Sequence, residues 1–399
     1  MSAPSERRVT VAGAGAAGLM AAVRAARRGA PVLLLERNDR PGIKLSITGK
    51  GRCNLTNDRD REDFLENCND RRFLRSALSR FSPQDTMDFF EKLGVPLVTE
   101  RGRRVFPASE KAGDVVGALT REAERLGVER RKRRVTGLDF SNGPVIVATG
   151  GLSYPRTGST GDGYDLARLA GHTVTPLSPS LVPLNSPDAF CAEMQGLSLR
   201  NVTLRLLDGA GKVLFCEGPG EMLFTHFGLS GPLVLSASAH WREGVSAAID
   251  LKPGLTERQL YARLERDFIK YGARDLGNAL GDLLHKRMIS VIIALAGVDP
   301  RKRTAEVTRA ERLALLGAVK RFPVALSGAR PMDEAVITRG GVSLKEIDPR
   351  TMQSKLCKGL YFAGEVLDLD GYTGGYNLQI AWSTGWAAGE AAAEECCQS

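Results

Sequence analysis

Residues 8–38 read RVTVAGAGAAGLMAAVRAARRGAPVLLLERN, and this stretch decides the fold. An apolar run at residues 9–12 predicts a short buried strand, and residues 16–28 predict a helix. A second apolar run at residues 31–35 predicts another strand, which ends at Glu36. With the G-x-G-x-x-G spacing between the first strand and the helix, the pattern is typical of a Rossmann-like α/β unit that binds a dinucleotide.

Each small residue of this turn has a physical role. Gly13 permits the tight turn, Gly15 lets the backbone approach a pyrophosphate, and Gly18 lets the helix pack closely on the strand. The helix begins at Ala16, and the free N–H groups of its first residues, Ala16 and Ala17, carry partial positive charge. We therefore expect these five residues to surround the pyrophosphate of a dinucleotide.

The acid at the end of the second strand narrows the choice of dinucleotide. Glu36 can accept hydrogen bonds from both ribose hydroxyls of an adenosine, and it disfavours a 2′-phosphate, which leaves FAD or NAD. Arg37 follows it in the same expected site. A glycine-rich excursion through residue 75 then stands where an NAD dehydrogenase has its third β-unit. Such an excursion can lie along a longer cofactor, so FAD is favoured and an NAD-dependent dehydrogenase remains an alternative.

The excursion contains ITGKGRCNLTN at residues 47–57. This run is compatible with a phosphate cradle, the loop of a thiol nucleophile, half of a metal site, or a wrap around a cofactor bound elsewhere. It is not a P-loop, because the spacing G-x-x-x-x-G-K-[ST] is missing. The choice among these interpretations depends on the far end of the chain.

Two later segments complete the pattern. VIVATGG at residues 145–151 is a common return strand of flavoproteins with two dinucleotide folds, and a strand is expected to start near Val135 before it. Residues 360–363 predict a short strand, which an acid, a glycine-rich turn and a helix from about residue 378 follow. A helix N-terminus at the flavin N1–O2 edge stabilises the anionic reduced flavin. The residues expected at the cofactor here are Val135, Thr149, Gly150, Gly151, Asp162, Gly364, Glu365, Gly374, Gly375, Tyr376, Asn377, Leu378 and Gln379.

Four motifs now line up along the chain: GAGAAGL with Glu36, GKGRCNLTN, ATGGLSYPRTGSTGDGY and GLYFAGEVLDLDGYTGGYNLQIAWSTG. Together they resemble the BaiN/HI0933-like family of FAD-dependent oxidoreductases, also labelled the aminoacetone oxidase family. The third motif is also similar to the fumarate reductase flavoprotein group. The resemblance covers nearly the whole chain.

The resemblance implies a split Rossmann-like FAD-binding domain with an inserted β-barrel-like domain and a small helical domain. The sequence agrees, because residues 194–238 alternate apolar and polar residues and residues 256–321 follow a helical period. Residues 135–151 are too short for the antiparallel hairpin usual in this family, so either the loop is truncated or residues are missing from this stretch of the sequence. The expected parts are 1–180 (FAD-binding), 181–255 (β-barrel-like insert), 256–322 (helical insert), 323–345 (return strands of the β-barrel-like insert) and 346–399 (FAD-binding, C-terminal part).

With this resemblance, the loop at residues 48–54 is expected to line the flavin pyrophosphate and ring. Cys53 is then either a redox partner of the flavin or a structural residue, and the absence of a C-x-x-C spacing favours the structural role. Three cations are expected to balance phosphate or reduced-flavin charge. The expected residues of this region are Lys44, Thr48, Gly49, Lys50, Gly51, Arg52, Cys53 and Asn54.

The expected activity is that of an FAD-dependent oxidoreductase that moves hydride through flavin N5. Only one dinucleotide fingerprint is present, so NAD(P)H as a donor would visit the flavin transiently. The resemblance implies reduction of conjugated C=C bonds in steroid-like acids. Candidate catalytic residues are Cys53, His226 and Tyr372, with Thr225 and Ser230 also near the substrate; for His226 a plain turn position is equally expected.

Composition adds a second hypothesis. The formal net charge of +9 and the basic cluster ERRKRR at residues 129–134 suggest a flavin-dependent protein that modifies or binds nucleic acid such as tRNA. No aromatic residue interleaves the cluster, so a solvated approach to a strand is favoured and a small-molecule partner is expected. Scattered cysteines and four distant histidines predict no disulfide framework or metal site and suit the cytoplasm. No apolar run has the length of a membrane span.

Overall fold

The computed structural model of this 399-residue protein describes residues 7–398. Its strands are β1 (Val9–Ala12), β2 (Val32–Glu36), β3 (Thr56–Asn57), β4 (Leu97–Glu100), β5 (Arg104–Pro107), β6 (Glu129–Lys132), β7 (Val145–Val147), β8 (Ser178–Ser180), β9 (Leu184–Asn185), β10 (Ser198–Leu207), β11 (Val213–Thr225), β12 (Gly228–Ser230), β13 (Ser246–Asp250), β14 (Phe322–Ala325), β15 (Gly328–Ala329), β16 (Ile337–Arg339) and β17 (Leu360–Phe362).

The helices alternate with these strands along the first part of the chain and cluster in the later part. They are α1 (Ala16–Arg27), α2 (Ile43–Ile47), α3 (Arg61–Leu65), α4 (Arg71–Arg80), α5 (Pro83–Lys92), α6 (Ala112–Arg125), α7 (Asp162–Leu169), α8 (Phe190–Glu193), α9 (Pro232–Ser238), α10 (Glu257–Lys270), α11 (Leu276–Ala279), α12 (Lys286–Leu295), α13 (Arg309–Lys320) and α14 (Tyr376–Gln398).

The chain divides into two compact units, and the first unit holds residues up to Ser180 together with residues from Met332 onward. Its centre is a five-stranded parallel sheet in the order β17-β7-β1-β2-β6. The three central strands are apolar runs that lie almost entirely in the core. This is the buried parallel sheet of an α/β fold, so the expected Rossmann-like class is confirmed.

The prediction of a strand that starts near Val135 is wrong. The strand in this region is β6, which contains most of the ERRKRR cluster and pairs with β2 at the edge of the sheet. All four of its side chains are exposed, so β6 needs no apolar alternation and an apolar pattern could not reveal it. Val135 lies in the connection of residues 133–144, which forms no helix or strand before β7.

Helices α1 and α14 pack against each other with their backbones in close approach. A Cβ atom at Gly385 would lie 2.4 Å from the carbonyl oxygen of Ala17, and one at Gly389 would lie 2.3 Å from that of Ala21. Most of α14 is buried, including the indole of Trp382. The last helix therefore lies directly on the first helix, and the two ends of the chain belong to one core.

The second unit, residues 181–331, contains a seven-stranded sheet in the order β14-β13-β10-β11-β12-β9-β15. All of its pairings are antiparallel, as the alternating pattern predicts. Among residues 7–398, no ladder joins β14 to β15, the two ends of this order. The helical period predicted for residues 256–321 corresponds to α10–α13, and two of these helices start with a capping box.

The chain returns to the first unit earlier than the expected boundary at residue 346. The first unit resumes at Met332, and β16 pairs antiparallel with β8 inside it. Strand pairing across about 160 residues of sequence decides this boundary, and no local pattern reveals such a pairing. Between residues 7 and 398, no helix has both the length and the apolar character needed to cross a membrane.

The contact between α1 and α14 leads to a stability prediction. We expect Gly385→Ala to lower the free energy of unfolding by about 1–3 kcal/mol, because the added methyl group meets backbone that cannot rotate away. Thermal and denaturant unfolding measure the effect. The matched control is Gly113→Ala in α6, where a Cβ meets nothing within 4 Å and only helix propensity acts. A Gly385→Ala variant as stable as this control would contradict the close packing.

Candidate functional site

The turn after β1 is closed on one side and open on the other. Gly13 has a φ of 101°, and its N–H donates to the carbonyl oxygen of Leu35 at 2.8 Å. A Cβ at Gly13 would lie 2.5 Å from the carbonyl oxygen of Ala148, and one at Gly18 would lie 1.8 Å from that of Gly13. A Cβ at Gly15 would meet nothing within 4 Å. The structure therefore leaves space at Gly15, in front of the N-terminus of α1, where an anion binds favourably.

Glu36 lies beside this turn with its carboxylate only partly used. Oε2 accepts a hydrogen bond from the N–H of Ala14 at 2.8 Å, and Oε1 accepts one from the N–H of Asn38 at 2.8 Å. The residue is 8% exposed. A carboxylate has about four lone-pair positions, so roughly two remain for the hydroxyl groups of a ribose. The position and the free acceptors fit the role expected for this acid.

The end of β7 offers a further polar group. Thr149 follows the strand, and its buried Oγ1 has no hydrogen-bond partner within residues 7–398. A Cβ at Gly163 would lie 2.2 Å from this hydroxyl oxygen, so only glycine fits there. Buried hydroxyl groups are normally hydrogen-bonded in folded proteins. The unpaired Thr149 hydroxyl is therefore an observation that favours a polar ligand beside the turn.

Asp162, at the start of α7, is engaged with two arginines. Its carboxylate accepts hydrogen bonds from Nε and Nη2 of Arg134, both at 2.8 Å, and from Oγ1 of Thr160 at 2.8 Å. The bond from Arg134 is the main cause that lowers the pKa of Asp162. Arg37 lies 3.4 Å away on the same carboxylate. Asp162 therefore orients Arg37 beside the Glu36 region, and its own charge is compensated.

A polar network joins the two ends of the first unit. Lys44 Nζ donates to Oε2 of Glu365 and to Oγ of Ser153, both at 2.6 Å. Oε1 of Glu365 accepts from Ser153 Oγ at 2.8 Å and from the N–H of Thr338 at 2.9 Å. The lysine expected to balance phosphate charge and the acid expected at the ribityl chain thus form a direct ion pair. Sequence patterns did not single out Ser153, although it lies within the ATGGLSYPRTGSTGDGY motif, and Thr338 lies outside the four motifs.

The loop at residues 48–54 has an unusual backbone and one uncompensated cation. Gly49, Lys50, Gly51 and Cys53 all have positive φ. Arg52 donates to Glu100 and, at 2.8 Å, to Glu110, and its guanidinium lies 4.2 Å from the ring centre of Phe106. The charge of Arg52 is therefore compensated on the surface. Lys50 is exposed, and within residues 7–398 it has no acidic partner.

Cys53 is fully buried. Its N–H donates to the carbonyl oxygen of Thr48 at 3.0 Å. Burial raises the pKa of the Cys53 thiol to about 12, so the group stays protonated at neutral pH. A reactive cysteine is an exposed thiolate, and Cys53 is neither exposed nor ionised. These observations favour the structural role that the sequence already favoured.

The strand at Thr56 and Asn57 holds the glycine turn before α14. The side-chain amide of Asn57 donates to the carbonyl oxygen of Gly374 at 2.9 Å. Gly375 has a φ of 101°, and a Cβ there would lie 2.4 Å from the carbonyl oxygen of Thr56. The buried Thr56 hydroxyl donates to Oε1 of Gln379 at 2.6 Å. The GRCNLTN loop and the N-terminus of α14 are thus parts of one site.

Three residues expected at the cofactor use their side chains inside the protein. The ring of Tyr376 is buried 4.8 Å from that of Phe64, and Gln379 is fully buried. The Asn377 amide accepts from the N–H of Gly371 at 2.9 Å and donates to its carbonyl oxygen at 2.7 Å. These residues begin the 23-residue helix α14, whose first N–H groups carry partial positive charge, and the N–H of Gln379 donates to the carbonyl oxygen of Gly375 at 3.1 Å.

Asp370 is an acid that sequence patterns overlooked, although LDLDG directly before the glycine turn was the available signal. It is 4% exposed, and its Oδ1 has no hydrogen-bond partner within residues 7–398. Oδ2 accepts from the hydroxyl of Ser180 at 3.0 Å, and Arg339 Nε lies 3.9 Å from Oδ1. Burial is the main cause that raises the pKa of Asp370, and nearby Asp368 raises it further. The structure thus holds a buried carboxyl group four residues before Gly374.

The candidate substrate residues are divided between the two units. Tyr372 is half-buried in the glycine turn of the first unit. His226 is exposed in the turn between β11 and β12 of the second unit, next to Thr225 and before Ser230. Thr225 Oγ1 is buried and has no hydrogen-bond partner among residues 7–398. The roles of these four residues stay predictions.

Comparisons with known proteins agree on one family. The family described as "HI0933-like protein Rossmann domain" matches residues 7–391. The chain is 33% identical over 413 residues to a Clostridium scindens 3-dehydro-bile acid delta(4,6)-reductase, covering 97% of this chain and 99% of that protein. It is 32% identical over 395 residues to an Escherichia coli ribosomal RNA dihydrouridine synthase, covering 95% and 96%.

A solved structure shares the fold at lower identity. It is an open conformation of a flavocytochrome c3 fumarate reductase, with a TM-score of 0.50 and 18% identity over 99% of this chain and 79% of the other. This likeness supports the arrangement of strands and helices described above.

The carboxylate of Glu36 leads to a binding prediction. We expect Glu36→Gln to weaken FAD binding about 30-fold, because one charged acceptor worth about 2 kcal/mol is lost while the shape is kept. Titration of FAD fluorescence quenching measures the affinity. Asp39→Asn, an exposed acid three residues away, is the matched control and should bind FAD as the unmodified protein does. Equal affinities for both variants would contradict the assignment of Glu36 to the ribose.

Proposed function

Because the chain belongs to the HI0933-like family, we propose that it is an FAD-dependent reductase of carbon–carbon double bonds conjugated to a carbonyl group. The protein is an oxidoreductase of this family. The observation that carries the proposal is the meeting of both chain ends at one site, where the Gly15 opening, the Glu36 carboxylate and the N-terminus of α14 lie in one compact unit.

The residues of the site fit a flavin in its dinucleotide form. Gly15 and the N-terminus of α1 would hold the pyrophosphate, and Glu36 would hold the adenosine ribose. The unpaired hydroxyl of Thr149 would find a partner in the ligand. The turn at Gly374 and the helix N-terminus behind it would face the ring system. A flavin is the cofactor that the family and fold indicate, and the adenosine-type acid makes FAD our proposal.

Bound FAD supplies a hydride acceptor and donor at N5, which couples oxidation of NAD(P)H to reduction of the substrate. The sequence carries a single dinucleotide fingerprint, so NAD(P)H has no second dinucleotide-binding fold and visits the flavin transiently. The net reaction consumes NAD(P)H, one proton and the conjugated alkene, and it yields NAD(P)⁺ and the saturated carbonyl compound. Hydride adds to the β carbon, and a proton must reach the α carbon.

The side chain best placed to hold that proton is Asp370. Its carboxyl lies in the core beside the Ser180 hydroxyl, and its Oδ1 has no hydrogen-bond partner within residues 7–398, although Arg339 Nε lies 3.9 Å away. Burial favours the neutral, protonated form, which is the form a proton donor needs. The α14 N-terminus contributes partial positive charge where negative charge develops. Ser153 and Thr338 fix the Lys44–Glu365 pair, so these charges keep their positions during turnover.

A second candidate function is the same reaction on an alkene that belongs to an RNA base instead of a small molecule. The Escherichia coli relative is named a ribosomal RNA dihydrouridine synthase. Dihydrouridine is uridine whose C5=C6 bond, conjugated to the C4 carbonyl, has been reduced. Both named activities therefore saturate an alkene conjugated to a carbonyl group, and they differ in whether a small molecule or an RNA carries it. The net charge of +9 is favourable for an RNA substrate.

The function can be tested by separating the two half-reactions. We expect the purified protein to be yellow and to lose its flavin absorbance anaerobically on addition of NADH or NADPH. The reduced protein is then mixed with a 3-oxo-4,6-diene steroid acid or with a ribosomal RNA transcript, and reoxidation is followed together with product mass. A colourless protein that also fails to quench FAD fluorescence would overturn the proposal. Reoxidation by oxygen alone would overturn the reductase assignment.

Asp370 leads to a pH prediction. An acid with a raised pKa loses its proton only at higher pH, so substrate reduction should slow as pH rises through that pKa. We expect Asp370→Asn to slow substrate reduction about 10²–10⁴-fold and to remove this pH limb. Flavin reduction by NAD(P)H should be unchanged. Asp368→Asn, whose carboxylate accepts from the Thr175 hydroxyl, is the matched control, and it should keep the pH limb but move it to lower pH because Asp368 raises the pKa of Asp370. Substrate reduction at the normal rate by Asp370→Asn would exclude Asp370 as the proton donor.

A further inference from the structure

Most of the net charge of the protein lies in one segment of the second unit. Residues 252–321 contain 15 lysines and arginines against 8 aspartates and glutamates, a net charge of +7 out of +9 for the whole chain. Residues 181–250 of the same unit contain 4 basic and 7 acidic residues. The excess is therefore a property of helices α10–α13 and their connections, which we call the basic helical segment.

Ion pairing inside this segment leaves a defined set of cations uncompensated. Six of its eight acids each have a cation of the segment within 4 Å, for example Asp267 with Arg263 and Glu311 with Lys302. Within residues 7–398, seven exposed cations of the segment have no acidic partner. Arg274 lies against the ring of Tyr271 and Arg287 donates to the carbonyl oxygen of Gln195, which leaves five cations with neither an acidic partner nor a contact of this kind. These are Arg258, Arg266, Lys286, Arg301 and Arg309.

The free cations lie on several elements of the segment. Arg258 and Arg266 are on α10, Lys286 opens α12, and Arg309 opens α13. Arg301 lies in the connection before α13, which is held to the end of α10 by the bond from Thr304 N–H to the carbonyl oxygen of Arg274 at 3.0 Å. The charges are thus spread over connected helices, as a partner with repeated anionic groups requires.

An aromatic side chain lies among cations at the end of α10. The ring centre of Tyr271 is 4.6 Å from Lys270 Nζ and 4.6 Å from the guanidinium carbon of Arg274. Its hydroxyl and Lys270 share the carboxylate of Asp282, so the ring has a fixed orientation. Tyr271 is half-buried, and its neighbours Lys270 and Arg274 are exposed. An ordered, partly exposed ring among cations is the arrangement that stacks on bases of single-stranded nucleic acid.

The rival basic cluster in the first unit is largely neutralised. Arg131 pairs with Glu129 on its own strand, and Arg134 pairs with Asp162. Lys132 pairs with Asp39. These pairs involve three of the five cations of the ERRKRR cluster and leave Arg130 and Arg133. The ERRKRR cluster also has no ring comparable to Tyr271.

We propose that the basic helical segment, residues 252–321, is an RNA-binding surface on which the five unpaired cations contact phosphates and Tyr271 stacks on an unpaired base. This inference rests on the second candidate function, in which an RNA carries the reducible uracil. It places recognition of the RNA chain in the second unit, whereas the dinucleotide site belongs to the first unit. Phosphate contacts position the RNA and carry no sequence information, so base selection must come from elsewhere.

The test compares two variants of the holoenzyme with equal charge change. The first replaces Arg258, Arg266, Lys286, Arg301 and Arg309 with Gln. The control replaces four arginines and one lysine that are exposed and unpaired in the first unit, including one from the rival cluster: Arg72, Lys92, Arg121, Arg130 and Arg350. Filter binding of a protein-free ribosomal RNA transcript is measured against salt concentration. FAD content and the rate of flavin reduction by NAD(P)H are measured on each variant.

We expect the slope of log affinity against log salt to fall by about 3–4 for the first variant and by less than about 1 for the control. FAD content and flavin reduction should be unchanged in both, because these residues lie outside the dinucleotide site. Tyr271→Ala should weaken binding of single-stranded RNA about 5-fold or more, with Tyr261→Ala as the control. An equal fall of the salt-dependence slope in the five-site variant and in its control would overturn the proposal that residues 252–321 bind RNA.

Further outcomes keep the proposal separate from the proposed function. A yellow, reducible protein that binds no RNA would overturn both the surface and the RNA candidate, and reduction of small enones would still stand. Binding to phosphatidylglycerol vesicles without binding to RNA would also overturn the surface. If the five-site variant misfolds, the proposal is tested instead by hydrogen exchange of the unmodified protein with and without RNA. RNA should slow exchange in α10 and α12, and protection confined to the first unit would contradict the proposal.

Discussion

The backbone contact between α1 and α14 is the constraint on which the site depends. Gly385 and Gly389 allow α14 to approach the carbonyl oxygens of α1, and any larger residue would push the helices apart. With the helices in this contact, the start of α14 and the turn at Gly13 belong to the same compact core. A dinucleotide site built from the first and last segments of a chain needs this kind of close approach, because hydrogen-bonding groups from both segments must come within a few ångströms of one ligand.

Charge in the first unit is arranged mainly in pairs. Lys44 pairs with Glu365, Arg52 with two glutamates, and Asp162 with Arg134. A bound dinucleotide therefore meets N–H groups, hydroxyls and the Glu36 carboxylate more than free cations. Preorganised dipoles of this kind stabilise charge without reorganisation during the reaction. Lys50 in the loop at residues 48–54 is exposed and has no acidic partner within residues 7–398. The buried Asp370, 3.9 Å from Arg339 Nε, is the acid to which we assign the proton.

The two candidate functions share one reaction and differ in how the substrate is held. Reduction of an alkene conjugated to a carbonyl needs a hydride, a proton and a place for developing negative charge, which our proposal assigns to bound FAD, Asp370 and the N-terminus of α14. A small steroid acid needs nothing more than a pocket. An RNA needs an extended cationic surface, and residues 252–321 carry +7 of the net charge of +9. The distribution of charge, rather than its total, is the observation on which the proposed RNA-binding surface rests.

The sequence by itself determined the parallel α/β fold, the turn at Gly13 and the acid at Glu36, because these depend on periodicity and on spacing within about 30 residues. It also indicated that the last helix belongs to the same site. Only the tertiary structure decided that Lys44 pairs with Glu365 and that Cys53 is buried as a thiol. Such properties depend on atoms brought together from distant parts of the chain, and burial and pairing energies do not follow from local patterns.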